Sequence, residues 1–512
     1  MKTEEEGSLT IFSALSLLLI LSFLLALLEG ARVSGLQMMD TLAADIGMDC
    51  VAAEYQTVLW DKYHLLYLDG AYGWDQFDEN KVSSRVMDYV AGNLSETGEN
   101  SVFRTKLCEA SLLEYMFATD NDGTGMLRQA SAYMKRHLPE DVAKKMYQQY
   151  QDGKKAEADG KTEYSVEDAD QAIINAKKEK EQADQNDKEG APQEEAGEKN
   201  IQDNENNHAQ DAEDGKKESP IQIVLQLKQN ALLGMTVSDM SSLSAKAVEA
   251  KDMVSNRQCE TGRYDMKKAE KMNVSDRVMV LEYIGKHFSD YTEPGKGDLT
   301  YEMEYILCGK DTDKKNLESS IERLMRMREA ANVAHIIADR EKLNQTLMIA
   351  TSLAGFSGNP AVVKIVQIGV VAAWAYVESI LDLRTLLSGG KISLIKSAAE
   401  WTTDLKKLGE IVTGEGKARE CKNGLSYQAY IKQLLFAMKE KKMAYRMMDI
   451  MELAMQKEQN GKNARMDHMI DNMICELRFE AKPLFAKRSL YGDMEMGGYT
   501  FFKRQKLSYI NE

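Results

Sequence analysis

Residues 9–28 read LTIFSALSLLLILSFLLALL, a stretch of twenty residues without a charged side chain. At the rise of an α-helix, twenty residues span about 30 Å, the thickness of the hydrocarbon core of a bilayer. Its polar residues are one threonine and three serines, whose hydroxyls can bond back to carbonyls of the same helix. Glu29 and Arg32 follow directly and indicate the exit into water. The stretch therefore predicts a single transmembrane helix.

A cleaved secretory signal and a buried core helix are the two alternatives for this stretch. Secretory signals usually begin with basic residues, have a shorter apolar core and end at a small-x-small cleavage site. This chain instead begins MKTEEEG, with one lysine and three glutamates. A core helix at this position would have nothing to pack against until the rest of the chain had folded. The membrane span is the favoured interpretation.

Residues 1–8 predict a short cytoplasmic stub, because nothing large precedes the span. The bulk of the chain would then be extracytoplasmic, and the protein would lie in the cell membrane as a single-pass protein. Gly7 stands directly before the long apolar helix and resembles the start of a prepilin, which a peptidase cuts after the glycine. Gly7 and Ser8 are therefore a candidate processing junction. The glutamate that is usual at the fifth position of the mature helix is replaced by Phe12.

The composition of the whole chain favours helices. Only six prolines interrupt 512 residues, and methionine alone occurs 30 times, which argues against an all-β sandwich with its frequent turn breakers. Hydrophobic residues make up 43% and charged residues 29%, as in an ordinary globular protein. The predicted fold class is mainly α: an N-terminal transmembrane helix followed by a helical extracytoplasmic body with minor β content.

An acidic segment divides the body in the sequence. Residues 152–219 hold 21 acidic and 10 basic residues and few large aliphatic ones, so they cannot bury enough apolar area to offset chain entropy. We predict an acidic disordered insertion there, with room for a short helix near Val166–Lys180; an acidic recognition tail is the alternative. Residues 29–151 would form a helical stalk and first body segment, and residues 220–512 the main helical body. In the first segment we expect a helix that continues from the anchor and further helices at Lys81–Asn93, Val102–Phe117 and Gly125–Gln149, the last interrupted near Pro139.

A second apolar stretch, Ala361–Leu387, reads AVVKIVQIGVVAAWAYVESILDLRTLL. Its uninterrupted uncharged run, 365–377, is short for a bilayer. The charged residues on either side of that run would be costly in lipid. We predict the central buried helix of the body rather than a second span.

Charge and motifs exclude several classes of function. The net charge of −16 repels phosphates, and no basic stripe with interleaved aromatic residues occurs, so nucleic acid is not an expected partner. The six cysteines are scattered without zinc or redox spacing; their even number allows disulfides, and buried thiols in a helical core are the simpler interpretation. No histidine pair, nucleophile elbow, phosphate loop or dinucleotide fingerprint is present. We expect no enzymatic activity, cofactor, metal or small-molecule substrate.

Polar residues inside apolar helical patterns form the remaining candidate set. Arg328 shares a helical stripe with Ile321 and Leu324, which predicts that its side chain points into the core. A buried arginine needs a partner, because an unpaired interior charge is very costly. We hypothesise that Arg328 pairs with one of four carboxylates, Glu302, Glu304, Glu378 or Asp382. The functional alternative is a pair of these carboxylates in acid–base catalysis.

Three stretches carry a resemblance to a known family. They are the anchor with its EGAR ending at 29–32, LTYEMEYILCGK at 299–310, and AAWAYVESILDLRTLLSGGKISLIKS at 372–397, which is followed by Trp401. The chain resembles an uncharacterised family of single-pass proteins, a domain-of-unknown-function family encoded near tight-adherence (Tad/Flp) pilus systems. The resemblance covers the anchor and most of the body and leaves out the acidic insertion.

This resemblance implies a location and an association rather than a reaction. Such proteins are similar in placement to TadE/TadG-like minor pilins, which sit in the membrane and assist pilus assembly, and they offer no catalytic residues to carry over. The expected function is that of a non-enzymatic, membrane-anchored envelope protein, a pilin-like accessory component in assembly or anchoring of a tight-adherence pilus. Its expected partners are the membrane and other envelope or pilus proteins. The alternative is a membrane-tethered binding module or adhesin unrelated to pili.

Overall fold

The structure, a computed structural model, describes most of the chain. The described residues are 2–95, 101–138, 144–151, 165–189, 219–264, 272–409, 416–458, 461–484 and 498–509. Most of these residues are helical, and a small share lies in strands. The predicted mainly α class with minor β content is confirmed, including the long apolar helix at the N-terminal end.

Helices and strands alternate irregularly along the chain. The helices are α1 (Lys2–Ala52), α2 (Thr57–Tyr63), α3 (Glu79–Ser95), α4 (Thr124–His137), α5 (Val166–Glu189), α6 (Pro220–Lys228), α7 (Leu232–Thr236), α8 (Val274–His287), α9 (Glu302–Cys308), α10 (Asp313–Ala338), α11 (Arg340–Ala354), α12 (Pro360–Leu387), α13 (Tyr427–Phe436) and α14 (Glu440–Gln456). The strands are β1 (Leu68–Asp69), β2 (Lys106–Phe117), β3 (Met469–Ala481) and β4 (Tyr499–Ser508). Residues 144–151 are helical as well.

Two compact units make up the chain, and each is assembled from separate stretches of sequence. The first unit comprises Met1–His137, Glu249–Tyr283 and Lys439–Glu512, and the second comprises Leu138–Val248 and Ile284–Met438. The predicted division, with residues 29–151 as one segment and 220–512 as the main body, therefore differs from the structure. The reason is that strands near the C-terminal end pair with a strand near the N-terminal end, which proximity in sequence does not reveal.

The sheet of the first unit is built around β3. This strand pairs antiparallel with β1, β2 and β4. Its side chains alternate, so that Met473, Cys475, Leu477 and Phe479 are buried while Glu476 and its alternate neighbours face outward, as the two-residue period of a strand requires. The later part of α1 and helix α3 contribute buried residues to the same core, among them Ala44, Val51, Val82 and Val86.

The expectation for residues 102–117 is wrong, because they contain β2 and not a helix. The strand shifts register between Leu107 and Glu109 and again between Leu112 and Glu114. Each shift breaks the alternation of apolar and polar residues, so the two-residue period that identifies a strand is hidden in the sequence. The helix expected near Lys81–Asn93 is confirmed as α3.

Helix α12 is the centre of the second unit. It packs against α5, α6, α10 and α11, and its residues from Val366 onward are almost all buried. Its length and apolar composition would suffice to cross a membrane, but 61% of its most apolar window is buried in protein. It is a core helix, as the charges along it predict.

Part of the acidic segment is helical, at the place where the sequence left room for a short helix near Val166–Lys180, and this helix is longer than expected. Helix α5 occupies Val166–Glu189, and Val166, Ala169, Ile173 and Ala176 are buried. These residues recur at three- and four-residue steps, so they form one apolar stripe inside an acidic composition. The rest of the expected insertion, 152–164 and 190–218, lies outside the described residues.

The close contact between α5 and α12 depends on a glycine, which can be tested by substitution. A Cβ at Gly369 would lie 2.1 Å from the Cβ of Ala169. We expect Gly369→Ala to lower the free energy of unfolding by about 1–3 kcal/mol, because the added methyl overpacks the interface, although alanine favours a helix intrinsically. Urea unfolding followed by circular dichroism measures the change.

The matched control is Gly234→Ala in α7 of the same unit. A Cβ at Gly234 would have no atom within 4 Å, so this variant should be unchanged or slightly more stable. Equal stability of the two variants would contradict the close approach of α5 to α12.

Candidate functional site

The apolar part of α1 has no packing partner in the described part of the chain. The helix from Leu9 onward has a mean hydropathy of 2.8 in its most apolar window, and none of that window is buried. Leu19 and Phe12, for example, are 68% and 69% exposed. Two of its hydroxyls bond within the helix: Ser13 donates to the carbonyl of Thr10 at 3.0 Å and Ser22 to that of Leu19 at 2.8 Å. This helix is a candidate single membrane span.

A buried ion pair marks the point where the span ends. Arg32 Nη1 lies 2.8 Å from Glu29 Oε1, and both residues are only 6% exposed. The guanidinium also donates to the carbonyl of Val102 at 2.6 Å and to that of Lys482 at 3.0 Å. Glu29 accepts a hydrogen bond from the backbone N–H of Leu484 at 3.3 Å. Two separate stretches of the first unit, one at Val102 and one at residues 482–484, therefore hold α1 at its exit.

Beyond the ion pair, α1 becomes part of the core of the first unit. Leu36, Ala44 and Val51 on one side of the helix are fully buried. Asp40 on the same side is also buried, and burial raises its pKa to about 6. The apolar part of α1 and the core of the first unit are thus connected by one uninterrupted helix rather than by a linker.

The candidate processing junction, Gly7 and Ser8, lies in the first turns of α1. Only the backbone is described there, so the side chain of Ser8 lies outside the described structure.

The second unit brings two of the sequence-predicted candidates into direct contact. Arg328 donates from Nε and from Nη2 to Asp382 Oδ2, both at 3.0 Å, and neither side chain is exposed. Arg328 Nη1 donates to Tyr430 Oη at 2.8 Å and to the carbonyl of Leu394 at 2.9 Å. Burial opposes the charge of Arg328, but Tyr430 and Asp382 outweigh it and raise the pKa of the guanidinium.

Glu378 joins this pair through Lys396. The ammonium of Lys396 contacts Glu378 Oε1 and lies 2.5 Å from Asp382 Oδ1. Glu378 also accepts backbone hydrogen bonds from Thr402 at 3.1 Å and Thr403 at 2.9 Å. We call Arg328, Glu378, Asp382 and Lys396 the buried charge cluster; it contains two positive and two negative side chains and is neutral as a whole.

The other two candidate carboxylates accept hydrogen bonds from residues outside the buried charge cluster. Glu302 accepts hydrogen bonds from the backbone and the hydroxyl of Ser289, both at 2.9 Å. Glu304 accepts from Tyr427 Oη at 2.7 Å and from the backbone of Tyr291 at 2.9 Å. Glu304 is fully buried, and burial raises its pKa to about 8 in spite of the hydrogen bond from Tyr427.

Three residues that contact Arg328, Glu378 or Asp382 were not predicted from the sequence: Lys396, Tyr430 and Asn332. Asn332 donates to Asp382 Oδ2 at 3.0 Å and to Ser379 Oγ at 2.9 Å. Its position one helical turn after Arg328 was a usable signal. Lys396 lies in an irregular segment without a helical or strand period, so no pattern in the sequence marks it as buried.

The geometry of the buried charge cluster favours a structural role over acid–base chemistry. Glu378 and Asp382 both contact Lys396, and Asp382 also binds Arg328. None of the four side chains is exposed, so a substrate has no access to them. What the cluster can do is fix α10, α12 and the segment after α12 in one arrangement.

A polar cavity of about 290 Å³ lies in the first unit, beside α14. Arg257 at its wall binds Glu452 with both Nη atoms, at 2.5 and 2.7 Å, and Asp467 at 2.7 Å. Burial would raise the pKa of Asp467, but hydrogen bonds, the largest from Arg465, hold it at about 2. The cavity is lined by as many acidic as basic side chains: Asp75, Asp252, Asp449, Glu452, Lys251, Arg257, Lys462 and Arg465.

In the described part of the chain, no group of three or more His, Cys, Asp or Glu side chains is placed to hold a metal ion. The six cysteines all lie among the described residues, and none of them forms a disulfide. Cys308, Cys421 and Cys475 are buried.

Comparison with known proteins gives one match. A family model described as a family of unknown function, DUF5702, matches residues 210–481. The matched range includes the buried charge cluster and ends with the last residue of β3, and it does not include α1. No curated protein and no solved structure matches the chain.

Removing one partner of the buried charge cluster should destabilise the protein strongly. We expect Asp382→Ala to lower the free energy of unfolding by about 3–5 kcal/mol, because it leaves Arg328 charged and buried without its carboxylate. Asp311→Ala is the control, since Asp311 forms an exposed pair with Lys315 at 3.0 Å, and its loss should leave the free energy of unfolding almost unchanged. Urea unfolding of full-length protein in detergent measures both; similar losses would refute the role assigned to the cluster.

Stability should also fall as pH rises from about 5 to 8. Burial raises the pKa of Glu304 to about 8, that of Asp471 to about 7 and that of Asp40 to about 6. Between the ordinary carboxyl pKa and these values, the folded chain holds protons that the unfolded chain releases, so each increase in pH favours unfolding. The stabilising contribution is complete only below the ordinary carboxyl pKa and is lost progressively as the pH rises to about 8. Thermal unfolding at pH steps across the range measures the slope.

Glu304→Gln tests the origin of this slope, because glutamine imitates the neutral carboxyl. The variant should flatten the decline between pH 6 and 8, whereas Glu302→Gln, two residues earlier and half-buried, should not. A wild-type stability that rises over this range would overturn the assignment.

Proposed function

The chain belongs to DUF5702, a family of unknown function, and from its structure we propose that it is a non-enzymatic envelope protein held in the membrane by α1. In this proposal the two units lie outside the cytoplasm, and the protein is a pilin-like accessory component in assembly or anchoring of a tight-adherence pilus. The observation that carries the proposal is the unburied apolar half of α1, which continues without a break into the core of the first unit.

The ion pair between Glu29 and Arg32 supports membrane anchoring. These are the first charged residues after twenty uncharged ones, and they are held against the first unit instead of being left in the span. A span that ends on such a fixed junction supports the body at one height and in one orientation above the bilayer. This property suits a component that is assembled side by side with other membrane proteins.

The pilus part of the proposal is supported by resemblance and by the physics of helix association. The apolar helix that ends in Glu-Gly-Ala-Arg at residues 29–32 resembles single-pass proteins encoded near tight-adherence systems. In lipid, helices associate through close packing and hydroxyl contacts rather than through the hydrophobic effect. Hydroxyls at Ser13 and Ser22, which bond within α1, are available for such contacts with the helix of a neighbouring protein.

The absence of enzymatic activity is proposed from the state of the charged side chains. The carboxylates that could serve as an acid–base pair, Glu378 and Asp382, are both neutralised by buried cations. Such a cluster contributes to the stability of the fold rather than to catalysis.

A second candidate function is a membrane-tethered binding module or adhesin unrelated to pili. The observation that favours it is the cavity of about 290 Å³ beside α14, since ligand sites are concave and of comparable or larger volume. A pilus component needs no such cavity. Loss of pili in cells without this protein would decide for the first candidate.

The anchoring is tested by a charge at the centre of the span. Leu18→Arg should release full-length protein from membranes washed with alkaline carbonate, because an arginine there costs about 2.5–3.5 kcal/mol of insertion free energy. Leu347→Arg, at an exposed leucine of α11 (43% exposed), should leave the protein in the membrane fraction. In cells whose outer surface layer alone has been made permeable, added protease should digest the part of the wild-type protein that follows α1.

The pilus role is tested in the same strains. Deletion of the protein should reduce the number of surface pili, and the wild type and Leu347→Arg should restore them while Leu18→Arg should not. Unchanged pili after deletion would refute the pilus role and leave the anchoring intact. Release of the wild type by carbonate would refute both.

A further inference from the structure

Two strands of the sheet have one end at the point where α1 leaves the span. The guanidinium of Arg32 donates to the carbonyl of Val102, shortly before β2, and to that of Lys482, directly after β3. The backbone N–H of Leu484 donates to Glu29. The start of β2 and the end of β3 are therefore bonded directly to the first turn of α1 beyond the span.

The strand β4 begins at the same place and runs along α1 away from it. Its first residue, Tyr499, lies beside Glu29, since burial and the nearby Glu29 carboxylate raise the pKa of Tyr499. Tyr509, directly after β4, donates from Oη to the carbonyl of Ala52 at 2.7 Å, at the last residue of α1. One end of the sheet thus lies at the span and the other points away from it. We call the end at the span, residues 101–106, 481–484 and 498–500, the rim.

The depth of the rim follows from its hydrogen bonds to α1. At 1.5 Å per residue, Glu29 lies about 1.5 Å and Arg32 about 6 Å beyond Leu28, the last residue of the span. The polar headgroups add a layer of about 5–8 Å to each side of the hydrocarbon core. The rim atoms that bind Glu29 and Arg32 therefore lie at the depth of the headgroups. A tilted helix would bring them closer still to the hydrocarbon core.

The rim exposes three large apolar side chains. Val102 is 47% exposed, Phe103 40% and Leu484 37%. Phe103 also lies directly against α1, where its ring leaves no room for a Cβ at Gly35. Exposed apolar side chains that lie together mark an interaction surface. At the boundary between headgroups and acyl chains, such side chains are removed from water by the lipid itself.

The rim also carries positive charge. Three of its basic side chains are exposed: Arg104, Lys106 and Lys482. Within the described ranges none of the three forms an ion pair, whereas the exposed carboxylates of Glu109 and Glu480 on the same part of the sheet both bind Arg478. Basic side chains beside apolar ones, at this depth, are complementary to the phosphates and upper acyl chains of anionic phospholipids.

We propose that the rim binds the surface of the bilayer, with its apolar side chains among the headgroups of anionic phospholipids and its cations on their phosphates. The inference rests on the membrane anchoring proposed above, because the span sets the depth of the rim. Lipid is the occupant that this depth supplies, since the layer that the rim enters is filled by headgroups. The first unit is then attached to the membrane at a second place besides α1.

The test uses full-length protein in vesicles of equal parts phosphatidylcholine and phosphatidylglycerol. The photoreactive amino acid p-benzoylphenylalanine replaces Leu484, and mass spectrometry identifies the molecules attached to it after illumination. Lipid adducts should form, and phosphatidylglycerol should be recovered at least about fivefold more often than phosphatidylcholine, because one cation near an anionic surface is worth a factor of about five.

The same probe at Trp74 is the matched control. This side chain is more exposed than Leu484, at 64%, and belongs to the same unit. It follows β1, which pairs with the first residues of β3, at the end of the sheet opposite the rim. The probe at Trp74 should give no lipid adduct.

Charge variants separate binding of anionic lipid from mere proximity to the bilayer. With the probe at Leu484, the triple variant Arg104→Gln, Lys106→Gln and Lys482→Gln should bring the two lipids close to parity among the adducts. Arg128→Gln, at an exposed cation of α4 far from the rim, should leave the preference for phosphatidylglycerol unchanged. All of these residues are exposed, so the thermal unfolding temperature of both variants should stay within a few degrees of the wild type.

Three outcomes would overturn the inference: no lipid adduct at Leu484, adducts of equal yield at Trp74, or parity of the two lipids in the wild type. An adduct to a second protein chain in place of lipid would do the same. If the chain still resists carbonate extraction in any of these cases, the anchoring stands and only the lipid contact of the rim is lost. If the wild type is released by carbonate, the anchoring fails and the inference fails with it.

Discussion

The structure depends on the ion pair between Glu29 and Arg32, which lies where α1 changes its surroundings. On one side of the pair the helix has apolar side chains on every face, and on the other it has one buried and one exposed face. Charges at such a boundary lose most of their hydration, so each needs a partner. The pair supplies one partner to each, and the carbonyls of Val102 and Lys482 bind the remaining guanidinium N–H groups. The same contacts that satisfy the charges attach the helix to the first unit.

In the second unit, too, charges that have lost their hydration are paired, here in the protein interior. Helix α12 is apolar enough to cross a bilayer by composition, yet it carries Glu378 and Asp382 on faces that are completely buried. Lys396 and Arg328 neutralise them from outside the helix. Length and apolar composition therefore do not distinguish the two long apolar helices of this chain. Their burial does, because none of the most apolar window of α1 is buried, whereas 61% of that of α12 is.

The sequence predicts well those features that depend on neighbours along the chain. The uncharged run of α1, the helical class and the buried position of Arg328 all follow from short-range periodicity. It does not predict features that depend on distant partners. The strand β2 is disguised by its register shifts, and its partner β3 lies at the other end of the chain. Lys396 is buried through contacts with α12 and not through any pattern of its own segment, so the choice among four carboxylates could not be narrowed to Asp382 beforehand.

The pairing of β2 with β3 has a consequence for how the protein is made. Glu109 on β2 and Arg478 on β3, which form an ion pair across the two strands, are 369 residues apart. At a synthesis rate of about 5–20 residues per second, β2 waits roughly 20–75 s for its partner. During that time α1 has already left the ribosome, and the edges of β2 are open to pairing with other chains. Biogenesis of the first unit is therefore completed only after synthesis of the second, and a cell that makes this protein has to protect an unfinished sheet until the last strands arrive.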